Sequence, residues 1–249
     1  MADESTRIER TSVESFDYML GQVMPVLDHG FIRVIDYMGD DASIVQAARV
    51  SYGKGTKQSK QDAGLIDYLM RNDHTSPFEM CEIKLHIKMP LFVARQWLRH
   101  RTASVNEYSA RYSVLNDDFY VPDASRICAQ SQSNKQASGE ALPLDVTKQV
   151  IDTIESVSRF AHDKYKKLID LGLAREVARS IIPLNTYTEM YWKIDLHNLL
   201  RFVRLRNSSH AQYEIRVYAE KIQELLKAWV PHVYESFMKH KMCADEKLT

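Results

Sequence analysis

CEIKLHIKMPLFVARQWLRHR, residues 81–101, carries the clearest local pattern in the chain. Cys81, Ile83, Leu85, Ile87 and Met89 alternate with Glu82, Lys84, His86 and Lys88. A period of two predicts a strand with one buried face. Cys81 falls with the buried set, where a cysteine is usually an inert small hydrophobe. Pro90 fits a helix start. A helix from Leu91 to about Arg101 would bury Phe92, Val93 and Trp97 or Leu98. Gln96, Arg99 and His100 then stand at i, i+3 and i+4 on one face. Polar groups carried on the last turn of a rigid element suit a ligand site.

The chain continues as RHRTASVNEYSARY, residues 99–112. No apolar face runs through this segment at helical or strand period. It adds little to a core and supplies guanidinium forks, hydroxyls and one carboxylate, Glu107. Arginine suits planar, bidentate recognition of phosphate or carboxylate. Two readings of these residues stand side by side. One is a solvated basic loop with internal ion pairs. The other is an anion site reached from the helix end.

On either side the pattern predicts one α/β (α+β) domain in which helices pack on a small sheet. Residues 1–27 read as a weakly structured arm. Residues 28–240 form the domain and residues 241–249 a charged tail. Phe31 to Met38 reads as a strand with Phe31, Val34 and Ile35 apolar. Helices are expected over about 41–51 and 61–72. Residues 123–142 are polar and read as a mobile flap or a plain insertion. Val150, Ile154, Val157, Phe160, Ala161, Tyr165 and Leu168 repeat at helical spacing within a long helix, residues 143–171, ended by Gly172. A short helix over 173–182, a strand over 185–195 and helices over 195–206 and from Tyr213 to Pro231 follow. A last helix leads to the tail.

Composition narrows the function classes. The 249 residues are 45% hydrophobic and carry zero formal net charge, so a general nucleic-acid coat is disfavoured. Cys81, Cys128 and Cys243 lie far apart and give no C-x-x-C, so neither a disulfide framework nor a metal site is expected. Without a signal-like segment or a long apolar run, a soluble cytoplasmic protein is the default.

Arg99-His100-Arg101-x-x-Ser104-x-Asn106-Glu107-x-Ser109-x-Arg111-Tyr112 resembles the signature of the flavin-dependent thymidylate synthases at every fixed position. Three further blocks are similar to that family: His74-Thr-Ser76-Pro-Phe-Glu79, Ala174 through Arg179 to Asn185, and Leu205-Arg206-x-x-Ser209-His210-Ala211-Gln212-x-Glu214-Ile215. The resemblance covers almost the whole chain apart from the arm and the tail. It implies reductive methylation of dUMP to dTMP, with 5,10-methylenetetrahydrofolate as carbon donor and NADPH-reduced FAD as hydride source. It also implies a small, mostly antiparallel sheet packed by helices, a homotetramer with active sites at subunit interfaces, and no partnership with nucleic acid or membrane.

Site residues follow from the same resemblance. Arg206 is the expected catalytic residue, promoting ionisation of the uracil ring. Gln96, Arg99, Glu107, Ser109, Ala110, Arg111, Arg179 and Arg206 are expected at dUMP. Ser76, Arg99, His100, Arg101, Glu107, Asp195, His197 and Arg201 are expected at FAD, with His74 near flavin and folate. One departure stands out. Where several members place Asn-x-Arg and a later Asn, this chain has Asp195, His197 and Arg201, and an ionised Asp195 cannot donate. No G-x-G-x-x-G follows a strand, so side chains would have to grip the pyrophosphate. A phosphate- or RNA-binding module built on the same arginines, with Tyr108 and Tyr112 as stacking partners, remains a second reading.

Overall fold

The computed structural model describes residues 10–50, 59–132 and 138–242. Its centre is a five-stranded antiparallel sheet in the order β1-β2-β3-β7-β4. These strands are β1 (Val23–Val26), β2 (Gly30–Met38), β3 (Glu82–Pro90), β7 (Tyr187–Asp195) and β4 (Ser104–Glu107). A separate hairpin joins β5 (Cys128–Gln130) to β6 (Ser138–Ala141). The helices are α1 (Glu14–Asp17), α2 (Asp41–Arg49), α3 (Ser59–Arg71), α4 (Leu91–Trp97), α5 (Leu144–Asp170), α6 (Arg175–Ala178), α7 (Leu196–Arg206), α8 (Tyr213–Trp229) and α9 (Pro231–Phe237).

β3 lies in the middle, and the expected alternation holds along it. Cys81, Ile83, Leu85, Ile87 and Met89 are all buried. On the same face β7 buries Met190, Trp192 and Ile194. Under that face Trp97 meets Trp192 edge-on at 5.2 Å and Phe202 at 4.4 Å between ring centroids. Aromatic contacts of this kind add to the stabilisation from burial. The opposite face is polar and aromatic. There His86 stacks on Tyr191 and lies between Arg33 and Glu189.

Two junctions position everything that follows. β3 ends at Pro90 and α4 begins at Leu91; β7 ends at Asp195 and α7 begins at Leu196. The strands are antiparallel, with Glu82 opposite Asp195 and Pro90 opposite Tyr187. The two helices therefore enter from opposite ends of the sheet and run toward each other. A nine-residue strand is about 30 Å long, and α4 and α7 together span roughly 27 Å. Their C-terminal ends meet beneath the strand pair.

Several expectations need correction. The arm is structured from residue 10 onward, because Phe16 is fully buried, edge-on to Tyr37 and stacked on Trp229. A single anchor in a four-residue helix leaves no periodicity to read. In β2 the buried residues are Ile32, Val34 and Tyr37, not Phe31 and Ile35. A bulge between Val34 and Asp36 shifts the register against β3.

Helix α4 stops at Trp97, so Arg99 to Arg101 lie in a turn. The polar signature contains the edge strand β4, whose residues are all exposed. It is held by main-chain pairing to β7, with Glu107 opposite Met190. The supposed flap holds the β5–β6 hairpin, with residues 133–137 outside the described set. In α5 the apolar repeat does not all face inward. Val157 and Phe160 are 56% and 62% exposed, whereas Thr147, Ser158, His162 and Tyr165 are buried.

Candidate active site

Where α4 and α7 meet, Arg206 is held by two acceptors. Its Nε donates to Nε2 of His100 at 3.0 Å, and its Nη2 donates to the main-chain oxygen of Gln96 at 3.1 Å. Both partners are neutral, so the guanidinium charge is not cancelled. Burial, and then the charge of Arg99, lowers the Arg206 pKa. The group still carries its proton at neutral pH. Burial, followed by the Arg206 and Arg201 charges, lowers the His100 pKa to about 4. His100 is thus a neutral imidazole, protonated on Nδ1 and accepting on Nε2.

These side chains open into a cleft of about 310 Å³ lined by Arg99, His100, Arg101, Thr102, Ile194, Asn198, Arg201, Leu205 and Arg206. Among the described residues, none of Arg99, Arg101, Arg201 and Arg206 forms an ion pair. Like charges gathered without counter-charges are costly in a bare protein and fit a multiply anionic ligand.

Arg201 also lines a neighbouring cavity of about 210 Å³, with His74, His197, Arg204 and Lys241. His74 in turn lines a groove of about 770 Å³ that contains Ser76. Of the residues expected at FAD, Ser76, Arg99, His100, Arg101, His197 and Arg201 are therefore strung along three adjoining cavities, joined at Arg201 and His74, whereas Glu107 and Asp195 line none of them. Asp195 has another task. Its carboxylate accepts from the main-chain N–H of Asn198 at 2.9 Å and from Nδ2 of Asn198 at 2.8 Å, so it caps α7. This accounts for an acid where a donor was anticipated.

The remaining residues expected at dUMP form a second cluster. Glu107 accepts from the Thr188 hydroxyl at 2.8 Å. Arg111 pairs with Glu176 at 3.4 Å, and Nε of Arg179 donates to the Glu176 main-chain oxygen at 3.4 Å. Ser109 accepts from the Arg111 N–H, and Ala110 packs against a small core of Leu115, Tyr165 and Ala178. None of these residues lines the Arg206 cleft. Within one chain the structure does not bring the two clusters together.

The sequence groups Arg204 with Arg201 and Arg206 in a basic cluster without giving it a ligand, and it overlooks Thr102, Asn198 and Lys241 as lining residues. The α7 members were within reach. His197, Arg201 and Arg204 stand at i, i+4 and i+7, and Asn198 stands three residues before Arg201. Lys241 lies far away in sequence and gives no local signal.

The profile of the family described as "Thymidylate synthase complementing protein" matches residues 33–232. The chain is 58% identical over 238 residues to the flavin-dependent thymidylate synthase of Wolbachia pipientis wMel, covering 96% of this chain and 83% of that one. The chain belongs to the flavin-dependent thymidylate synthase family. The corresponding enzyme of Rickettsia prowazekii is 57% identical over 247 residues, covering 94% of this chain and 84% of the other. A crystal structure of the UMP/dUMP methylase PolB from Streptomyces cacaoi bound with 5-Br dUMP superimposes with a TM-score of 0.79 at 31% identity. It covers 88% of this chain and 99% of that one. Membership of that family makes the chain an enzyme. Among the described residues, no helix is long and apolar enough to cross a membrane.

Proposed function

We propose that this chain is a flavin-dependent thymidylate synthase that converts dUMP to dTMP. The carbon donor is 5,10-methylenetetrahydrofolate, and FAD is reduced by NADPH. The observation that carries the reading is the unpaired arginine cluster around a neutral histidine at the α4–α7 meeting point. FAD brings two phosphates and dUMP a third, and the donors present suit them. Arg99, Arg101, Arg201 and His197 would hold the flavin nucleotide, with Ser76 and His74 farther along the same run of cavities. When bound, the reduced flavin supplies the hydride that completes the methyl group.

The chain's own residues do the rest. Arg206 faces the uracil ring and stabilises the negative charge that develops there, as an oxyanion site does. His100, kept neutral, accepts from Arg206 and fixes the plane of its guanidinium. Arg99 and Gln96 hold the nucleotide beside it. No cysteine takes part.

The reading includes a homotetramer in the cytoplasm with shared sites. Ser109, Ala110, Arg111 and Arg179 of one subunit would complete the dUMP site next to a neighbour's Arg206. Two observations support this. The two clusters stay apart within one chain, and α5 leaves Val157 and Phe160 uncovered. Light scattering should give a tetramer, and an active monomer would refute the sharing. For the activity itself, the purified protein should show flavin absorbance, oxidise NADPH in a dUMP-dependent way, and form dTMP only when dUMP and the folate are both present. Colourless protein that FAD cannot reconstitute would overturn the reading.

A further inference from the structure

Beside Arg206 runs a line of hydrogen bonds to which nothing above assigns a role. The buried Tyr120 hydroxyl donates to Oε1 of Glu214 at 3.1 Å. Nε2 of Gln212 donates to the other oxygen, Oε2, at 2.8 Å. Oε1 of Gln212 then accepts from Nε2 of Gln96 at 2.5 Å. The Gln96 main chain, finally, accepts from Arg206.

The carboxylate of Glu214 sets the direction of the line from there on. An ionised carboxylate only accepts, so Gln212 must turn its NH2 toward Glu214 and its oxygen toward Gln96. Gln96 must then turn its own NH2 toward Gln212. Its Oε1 is left over, on a residue whose main-chain oxygen is held by Arg206. We propose that Glu214 is a positioning residue: acting through Gln212, it fixes the Gln96 amide so that Oε1 is presented to the nucleotide as a hydrogen-bond acceptor. This rests on the dUMP reading above. It assigns to Glu214 and Gln212 a part in nucleotide affinity.

An amide at position 214 can present either end to Gln212, which removes the enforced direction. Glu214→Gln holoenzyme should therefore bind dUMP about tenfold more weakly, the worth of one hydrogen bond. Its KM for dUMP should rise in step, with kcat at saturation, flavin absorbance and melting temperature unchanged. Gln212→Leu, at an exposed position, should do the same and guards against a folding defect at 214. The double variant should bind dUMP no more weakly than the weaker single, because both act through Gln96. Unchanged dUMP affinity in both single variants overturns the proposal, as does a loss of kcat or of flavin without a change in KM. Wild-type holoenzyme titrated with dUMP runs alongside. If it fails to bind, the dUMP reading itself has failed.

Discussion

Arg206 donates through Nε to Nε2 of His100 at 3.0 Å, so the histidine facing the cleft keeps that nitrogen bare. One bond thus sets both the tautomer of His100 and the orientation of the charge at the cleft. A carboxylate in the place of His100 would have held Arg206 as firmly and cancelled its charge.

Arg206→Ala should lower turnover of dUMP about a hundredfold, roughly 3 kcal/mol of transition-state stabilisation, while flavin absorbance is retained. NMR titration of the same variant should move the His100 pKa upward from about 4, because one of the charges holding it down is gone. It should not reach its ordinary value, since burial is the largest cause. Normal turnover would remove Arg206 from the mechanism.

Stability should depend on pH through His100. Above about pH 6.5 the imidazole is neutral in both the folded and the unfolded chain and contributes nothing. Between about 6.5 and about 4 the unfolded chain takes up a proton that the folded one refuses. Stability therefore falls as pH drops through this window. His162, also lowered mainly by burial, adds in the same direction. His100→Asn should lose less stability between pH 7 and pH 5 than the parent in denaturant melts. An equal loss would show that His100 is not buried neutral.

Asp195→Ala separates the cap from the cofactor. If the carboxylate serves α7, the variant loses about 1 kcal/mol of stability and keeps its FAD affinity. Weakened FAD binding with unchanged stability would restore Asp195 to the flavin site.

The cysteines offer a test of the chemistry. Burial, with Asp40 and Asp41 nearby, raises the Cys81 pKa to about 12, which makes the thiol a poor nucleophile. Cys81→Ser should keep catalysis per folded molecule and lose roughly 1–3 kcal/mol of stability through a buried hydroxyl. Cys128→Ser should keep both. Cys243 lies outside the described residues, and Cys243→Ser should also keep most activity. Loss of dTMP formation in flavin-loaded Cys128→Ser would reject a route without an enzyme nucleophile.

Gly39 should not tolerate a side chain. Its φ is +83°, and an added Cβ would lie 2.6 Å from Sγ of Cys81. Its main-chain oxygen accepts from Nε1 of Trp229 at 2.8 Å, tying the β2–α2 turn to α8. Gly39→Ala should cost roughly 2 kcal/mol from the left-handed backbone alone, measured as a lower denaturation midpoint. A midpoint equal to the parent's would refute the constraint.

The legible parts of the fold were those with a strong period. β3, α7 and α8 bury the faces that their alternation or helical spacing indicates, and β7 falls within the strand read over 185–195. The arm, β4 and the β5–β6 hairpin were missed because each is fixed by something local pattern does not encode: one Phe anchor, or main-chain pairing at an edge. α5 misled in a different way. Its apolar stripe is real, but Val157 and Phe160 in it stay exposed among the described residues. The site divided along similar lines. Residue types pointed to the arginines after α4 and on α7 as candidate anion ligands, and the geometry places them around one cleft. That Asp195 is a cap, and that Ser109, Arg111 and Arg179 sit apart from Arg206, depends on tertiary placement.

The direct strand-to-helix junctions at Pro90–Leu91 and Asp195–Leu196 bear on how far this site is portable. Its signature reads as fourteen consecutive residues, 99–112, short enough to graft onto another scaffold as a loop. Such a graft would carry the guanidinium groups without the distances between them. What spaces Arg99 from Arg206 is the register of two neighbouring strands, passed on through two helices with no slack between. The smallest unit that could be transplanted is the pair of strand–helix arms together, residues 82–107 and 187–206, with the aromatic layer that holds them at their separation.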